Sequence, residues 1–447
     1  MKIRNASQCA ATVCVACVLL AGCNSSASQS GLTPTGALQQ TQSTIQRAPN
    51  AGAPKSITHY YVARLGSLGG NFSNANAVND RSWVVGPASL RGNKVQHAVL
   101  WRVGQPTDLG TLGGPNSTVA GFDHNTRGVI EGSSETSPTD PYTEQWCFQG
   151  STHLCQGFRW RNGGMTPLPT LGGNNGVAFD VNNRGQGIGV AETSTQDPSC
   201  QAPQVFDYYG VIWQPNGKVI VLPPYAGDTT SHAISINQKG QIVGASGLCA
   251  GVAGTDAPPS SVHAVLWQNG SAIDLGSLGG TQGNVGNDIN NHGQVVGVSS
   301  TPGNQTGHAF FWQNGVMTDL ETLPGDVWSY AYGINDKGQI VGVSCNANFA
   351  YCRGFIWQNG TMTDLNLLVP PNPKVDLMYG GDINDSGQIV SAALDLKTGK
   401  QTAVLLIPGK KAAVTPTNSY APKIALPAGM RMQLKSPWGM GRLFEKP

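Results

Sequence analysis

Short apolar runs recur along the chain, each ended by Asn, Asp or Gly. Residues 284–320, NVGNDINNHGQVVGVSSTPGNQTGHAFFWQNGVMTDL, show the pattern at full length. Gly286 to Ile289, Gln294 to Ser299, His308 to Gln313 and Val316 to Leu320 each predict a strand. Between the first two stands Asn290-Asn291-His292-Gly293. Asn opens such a turn because its side chain can bond the backbone two residues on, and Gly closes it at a left-handed position. Asn314-Gly315 predicts a tight primed hairpin turn. No long amphipathic helical pattern follows the N-terminal leader.

The first turn repeats as Asn79, Asn125, Asn182, Asn237, Asn290, Asn335 and Asn384. The steps are 46, 57, 55, 53, 45 and 49 residues, and such a period predicts a repeat architecture. A Trp closes the third strand of six copies, at Trp101, Trp160, Trp213, Trp267, Trp312 and Trp357, with Leu406 in the last. Its expected role is packing between neighbouring units. The last copy lacks a fourth strand, and Tyr60 to Gly70 reads as the end of a copy with no beginning. Together these predict an all-β fold: a seven-bladed β-propeller of four-stranded antiparallel blades over residues 57–408, its last blade completed by the N-terminal strand. A ring closed in this way leaves no open edge between its ends.

The grammar resembles the bacterial extracellular repeat family named for its His-Ala-Phe tripeptide. That tripeptide is present as His308-Ala309-Phe310, with variants such as His97-Ala98-Val99, His263-Ala264-Val265 and Arg353-Gly354-Phe355. The resemblance covers roughly residues 57 to 408 and implies export and a propeller-like fold. It brings no agreed activity and no catalytic motif.

Charge changes the picture at the ends. Only 12% of the 447 residues are charged. From Lys410 onward, seven bases stand against one acid, a balance of +6. Over residues 24–409, 18 bases stand against 24 acids, a balance of −6. No Lys/Arg stripe interleaves with aromatics, which argues against a nucleic-acid partner. Residues 1–22 read as a signal peptide, with Lys2 and Arg4 before an apolar Ala10 to Leu20. Leu20-Ala21-Gly22-Cys23 resembles the bacterial lipobox. That implies lipidation of Cys23, and Asn24 after it implies the outer membrane of a diderm bacterium. An ordinary signal peptide with a chance Cys is the alternative. Residues 23–56, poor in charge and rich in Ser, Gln, Thr, Ala and Pro, read as a tether. Residues 409–447 read as a basic, Pro-rich tail, either disordered or docked.

Beyond the leader and Cys23, six Cys remain: Cys147, Cys155, Cys200, Cys249, Cys345 and Cys352. All fall in loops between second and third strands. An even number in an exported chain predicts disulfides. Cys147–Cys155 and Cys345–Cys352 would staple single loops, and Cys200–Cys249 would bridge adjacent blades. Zinc binding is the weaker alternative, since no C-x-x-C pair occurs outside the leader.

The longest loops, at 133–155, 192–209 and 246–261, share one face, while the other face has only tight turns. Long stapled loops need a reason beyond folding. The candidate binding residues are therefore Glu135, Asp140, Tyr142, Glu144, Trp146, His153, Asp197, Asp207, Tyr208 and Tyr209. Each could equally pack its own loop. No nucleophile elbow, zinc-protease motif, P-loop or dinucleotide fingerprint occurs, so no cofactor is expected. Asp288, Asp336 and Asp385 near the first turn tempt a calcium assignment, but the ligand ladder of an EF-hand is absent. Glu131 stands where other copies have Val, and Glu131 with Glu135 is the best available carboxylate pair for sugar chemistry. Two readings follow. The first is a membrane-anchored binding or scaffold module for an envelope protein or glycan. The second is a hydrolase or lyase acting on polysaccharide.

Overall fold

A computed structural model describes residues 46–47, 57–121, 125–144, 146–147, 151–200, 202–249, 261–370, 375–395 and 397–412. The leader, Cys23, nearly all of the tether and most of the tail lie outside the described residues.

The architecture is a seven-bladed β-propeller. In blade 5, Val285–Ile289, Val295–Ser300, Gly307–Gln313 and Val316–Asp319 pair in chain order, each antiparallel to the next. The first strands of neighbouring blades pack on one another and so line the axis. The second strand crosses close beneath the first. A Cβ at Gly297 would stand 1.9 Å from the Val285 carbonyl oxygen, which explains the Gly ending the Gly-Gln-x-Val-Gly run. Between blades, each wedge holds its own apolar cluster. Between blades 3 and 4, Ile188, Leu222, Ala233, Ile242, Val265 and Trp267 come together. The recurrent Trp also bonds a backbone. The indole Nε1 of Trp101, Trp213 and Trp267 donates to the carbonyl of Gly66, Pro169 and Pro223, at 2.7, 2.8 and 2.8 Å. Each carbonyl lies in the linker entering that blade.

Ring closure follows the expected split. Ile57–Arg64 pairs antiparallel with Gln401–Ala412, setting Val62 opposite Leu406. The pairing runs on to Ala412, so the ring extends past the expected end at 408.

The repeated Asn now has a cause. Its Oδ1 accepts backbone N–H groups two and four residues on, as Asn290 does from His292 and Gln294 at 3.0 and 3.1 Å. Its Nδ2 donates to the backbone carbonyl of the same Asn in the next blade. The distances run 2.8 Å from Asn79 to Asn125, 2.8 Å to Asn182, 3.2 Å to Asn237 and 3.0 Å to Asn290. They continue at 3.0 Å to Asn335 and 3.0 Å to Asn384, and Asn384 returns to Asn79 at 3.0 Å. The circle is closed. A second set of links lies beside it, in which the following side chain accepts the N–H of the preceding blade, as Asp336 does from Asn291 at 2.8 Å. A third uses buried Asp. The Asp288 carboxylate accepts Ile289 N–H at 2.7 Å in its own blade and Ile334 N–H at 2.8 Å in the next. Asp288, Asp336 and Asp385 therefore hold neighbouring blades together through backbone amides.

The amide accepts through its oxygen and donates through its nitrogen, whereas an ionised carboxylate only accepts. Asn290→Asp removes the donor and sets a carboxylate against the Asn335 carbonyl. Urea unfolding should show a loss on the order of 1–3 kcal/mol. An unchanged midpoint would remove the ring from its stabilising role.

Candidate functional site

Antiparallel order puts the turns after first and third strands on one face, the turn face, and the loops after second strands on the other, the loop face. In blades 2 and 3 the second strands lengthen to Val129–Thr139 and Gly187–Gln196, against Val295–Ser300 in blade 5. They carry the loops outward. The disulfides are Cys147–Cys155, Cys200–Cys249 and Cys345–Cys352, with Cα separations of 5.3, 4.5 and 4.1 Å. The second ties the loop of blade 3 to that of blade 4. The Asp197 carboxylate lies within 4.8 Å of both sulfurs of this bridge, but the oxidised pair offers no thiolate to a metal.

The loops have a core of their own. Trp146, Cys155, Val177, Val190, Tyr208 and Cys249 cluster beneath them. Trp146 meets Tyr208 edge-on at 5.8 Å, and Tyr208 meets His232 at 4.9 Å. Burial pushes His232 down to about 3, so its ring is neutral. Of the ten candidates, Trp146, Tyr208, Glu135, Asp140 and Glu144 are buried inside this region. They build the face and do not present themselves on it. Tyr142 is 39% exposed, packs edge-on against Phe206 at 5.0 Å, and accepts a bond from Gln196 Nε2 at 3.3 Å. Asp207, Tyr209, Asp197 and His153 are half-buried. Tyr209 donates to Asp207 at 2.8 Å, and Asp197 caps its own turn through Ser199 N–H at 2.8 Å.

Buried carboxyl groups gather where blades 2 and 3 meet. Glu135 accepts from Asn116 Nδ2 at 2.7 Å and from Ser151 Oγ. Glu144, from the loop of blade 2, accepts the N–H groups of Val205 and Phe206 in blade 3 at 2.8 and 3.2 Å. Glu192 accepts Asn175 N–H at 2.8 Å. Gln204 Nε2 reaches Glu192 at 2.9 Å and Glu144 at 3.3 Å, and the two carboxyl groups bond one another. Asn175 Nδ2 bridges Glu144 and Asp140, at 3.2 and 3.3 Å. Burial first, and then repulsion from Glu144, pushes Glu192 up to about 9. One of the two keeps its proton at neutral pH, and that proton joins them. Nothing in the sequence singled out Glu192, Gln204 or Asn175: all three lie in blade 3, and the acids they meet, Glu144 and Asp140, come from blade 2.

Glu131 is also structural. Arg159 Nε donates to it at 2.7 Å, and the same guanidinium reaches the Gly185 carbonyl of blade 3 at 3.1 Å. Burial pushes the carboxyl up to about 8 against the downward pull of Arg159. Its carboxylate lies over Gly187, where a Cβ would stand 1.9 Å from Oε2. Gly187 replaces the Ile242 or Val295 of other blades, and Arg159 replaces an apolar residue such as Leu266. The three departures fit one another across one interface. Glu131 and Glu135 lie four residues apart on one strand, roughly 13 Å at the usual strand rise. Glycosidase carboxylates stand about 5 to 9.5 Å apart.

On the turn face, the Asn ring surrounds a cavity of about 100 Å³ lined by Asp80, Asn183, Gln238, Asn291, Asp336 and Asp385 among others. The sequence reading gave this face no role beyond folding.

Compared with family models and with characterised proteins, the sequence matches none. Among solved structures, a gluconolactonase from Xanthomonas campestris is similar at 11% identity and TM-score 0.33, covering 80% of this chain and 99% of that one. TolB from Acinetobacter baumannii is similar at 10% identity and TM-score 0.33, covering 79% and 98%. The WD40 domain of Toxoplasma gondii coronin is similar at 9% identity and TM-score 0.34, covering 80% and 86%. The propeller architecture is defined by the strand pairing of the chain itself.

The shared proton has a pH consequence. Glu192 sits above its ordinary value of 4.5, so its contribution is complete below that pH and is lost as pH rises through about 9. Amide protection at Val205 and Phe206, corrected for intrinsic exchange, should fall across that window by up to about tenfold per pH unit. Glu192→Gln, which keeps a donor toward Glu144, should flatten the slope. The same slope in both proteins would exclude the shared proton.

Proposed function

We propose that this chain is an exported lipoprotein whose propeller serves as a binding or scaffold module for an envelope protein or glycan. On this reading it belongs with the His-Ala-Phe repeat proteins and is anchored through Cys23 in the outer membrane of a diderm bacterium. The observation that supports it is the construction of the loop face in blades 2 to 4. Two disulfides, an aromatic core and a buried carboxyl network immobilise loops that the ring itself does not need. Rigid loops lower the entropy lost on binding. What they display is mixed: Tyr142 at 39% exposure, Leu248 at 56%, and the Asp207–Tyr209 pair. Aromatic and polar groups at that density suit a protein or sugar surface.

The test is retention of purified envelope proteins and glycans on immobilised protein. Tyr142→Ala with Leu248→Ser leaves the loop core untouched and should reduce retention at least about tenfold. Equal retention by both forms would discard the loop face as the site. Saccharide cleavage, lost in a Glu135→Gln variant, would replace this reading with the polysaccharide-acting enzyme.

A further inference from the structure

The turn face carries a second pattern. Two residues after the ring Asn stand Arg81, Arg127, Arg184, Lys239 and Lys337, all exposed, with His292 in blade 5 and Ser386 in blade 7. The ring does not require a base there. It uses the backbone N–H of this residue, as with Arg127 at 2.7 Å and Lys239 at 3.0 Å. At Lys337 the side chain takes part as well, Nζ donating to the Asp385 carbonyl of the next blade at 2.5 Å. Ser386 occupies the same turn without one. The outer turns add exposed Arg102, Arg161 and Lys218. Against these eight bases stand Asp80, Asp336 and Asp385, confined to blades 1, 6 and 7. Blades 2 to 4 present an unopposed basic arc.

An apolar tip lies beside the arc. Val103 is 97% exposed and adopts φ +50°, a left-handed conformation that disfavours β-branched residues. Most other copies place Asn there, as at Asn162, Asn269, Asn314 and Asn359. Val therefore costs backbone strain and gains no burial within the chain. Half-buried Trp83 stands nearby, with the guanidiniums of Arg102 and Arg81 over its ring at 4.1 and 5.6 Å. Bases around an exposed aliphatic tip and an interfacial Trp match a bilayer surface.

Both ends of the ring lie on this face. Ile57–Arg64 begins there, and Gln401–Ala412 ends there. Residues 413–447, which follow, add five bases and one acid.

We propose that the turn face docks on an anionic bilayer, its bases meeting lipid phosphates and Val103 with Trp83 entering the headgroup layer. The orientation rests in part on the anchored reading above, and the test separates the two. The chain from residue 23 with Cys23→Ser carries no lipid and contains the whole closed ring. It should sediment with vesicles of phosphatidylcholine and phosphatidylglycerol, weaken as salt rises, and ignore pure phosphatidylcholine. Arg127→Glu with Arg184→Glu and Lys239→Glu should reduce binding at least about tenfold at an unchanged unfolding midpoint. Val103→Asn should reduce it about threefold or more. Undiminished binding by the triple variant, binding lost only on removing residues 413–447, or preferential capture by duplex DNA would each overturn the proposal. Palmitate labelling of the full chain in cells, absent from Cys23→Ser, tests the anchor alone. Missing label would remove the anchor and leave the vesicle result standing.

Discussion

A circle of seven side-chain amides holds this molecule together. Each Asn joins its own turn through the oxygen and the next blade through the nitrogen, so neither bond can be lost without affecting both levels. Asp lacks the donor, Ser lacks the reach, and Gln adds a methylene that the turn does not accommodate. The circle closes only when the seventh blade meets the first, through Asn384 to Asn79. Pairing of the N-terminal strand with the last blade brings those two blades together. The ring and the strand split are therefore two parts of one closure.

Because the circle depends on backbone and Asn alone, other positions are free to vary. Interface residues vary in compensating sets. Glu131 enters an apolar wedge, Arg159 supplies its counter-charge, and Gly187 gives it room. Removing one partner of a buried ion pair is far more damaging than never having had the pair. That asymmetry explains why the three departures occur together in one wedge and in no other.

Much of this was legible in the sequence, for a physical reason. Strand, turn and period are local properties, and the incomplete copies at the two ends gave the closure. The loop disulfides followed from Cys spacing, and their pairing is the one observed. Burial within the loops was not legible. Trp146, Tyr208 and Glu144 look like surface residues in a polar loop, yet they are buried because loops of two blades enclose them. Glu192 meets Glu144 from another strand, and nothing local marks that meeting. The bases two residues after five of the seven ring Asn were in plain view. They became informative only when the structure showed that the turns at Arg127, Arg184 and Lys239 are closed by the backbone N–H of these residues.

The way the ring closes also orients it. The last blade takes its third strand from the C-terminal end of the ring and its fourth from the N-terminal end. In an antiparallel blade the third strand ends, and the fourth begins, on the turn face. A split between second and third strands would have sent both ends to the loop face instead. With the observed split, any anchor upstream of Ile57 joins the ring from the turn side. On the proposed reading, the basic arc and Val103 then face lipid, and the stapled loops of blades 2 to 4 face away from it. What topology itself fixes is that both ends of the ring leave from the turn face, while the stapled loops of blades 2 to 4 stand on the opposite one.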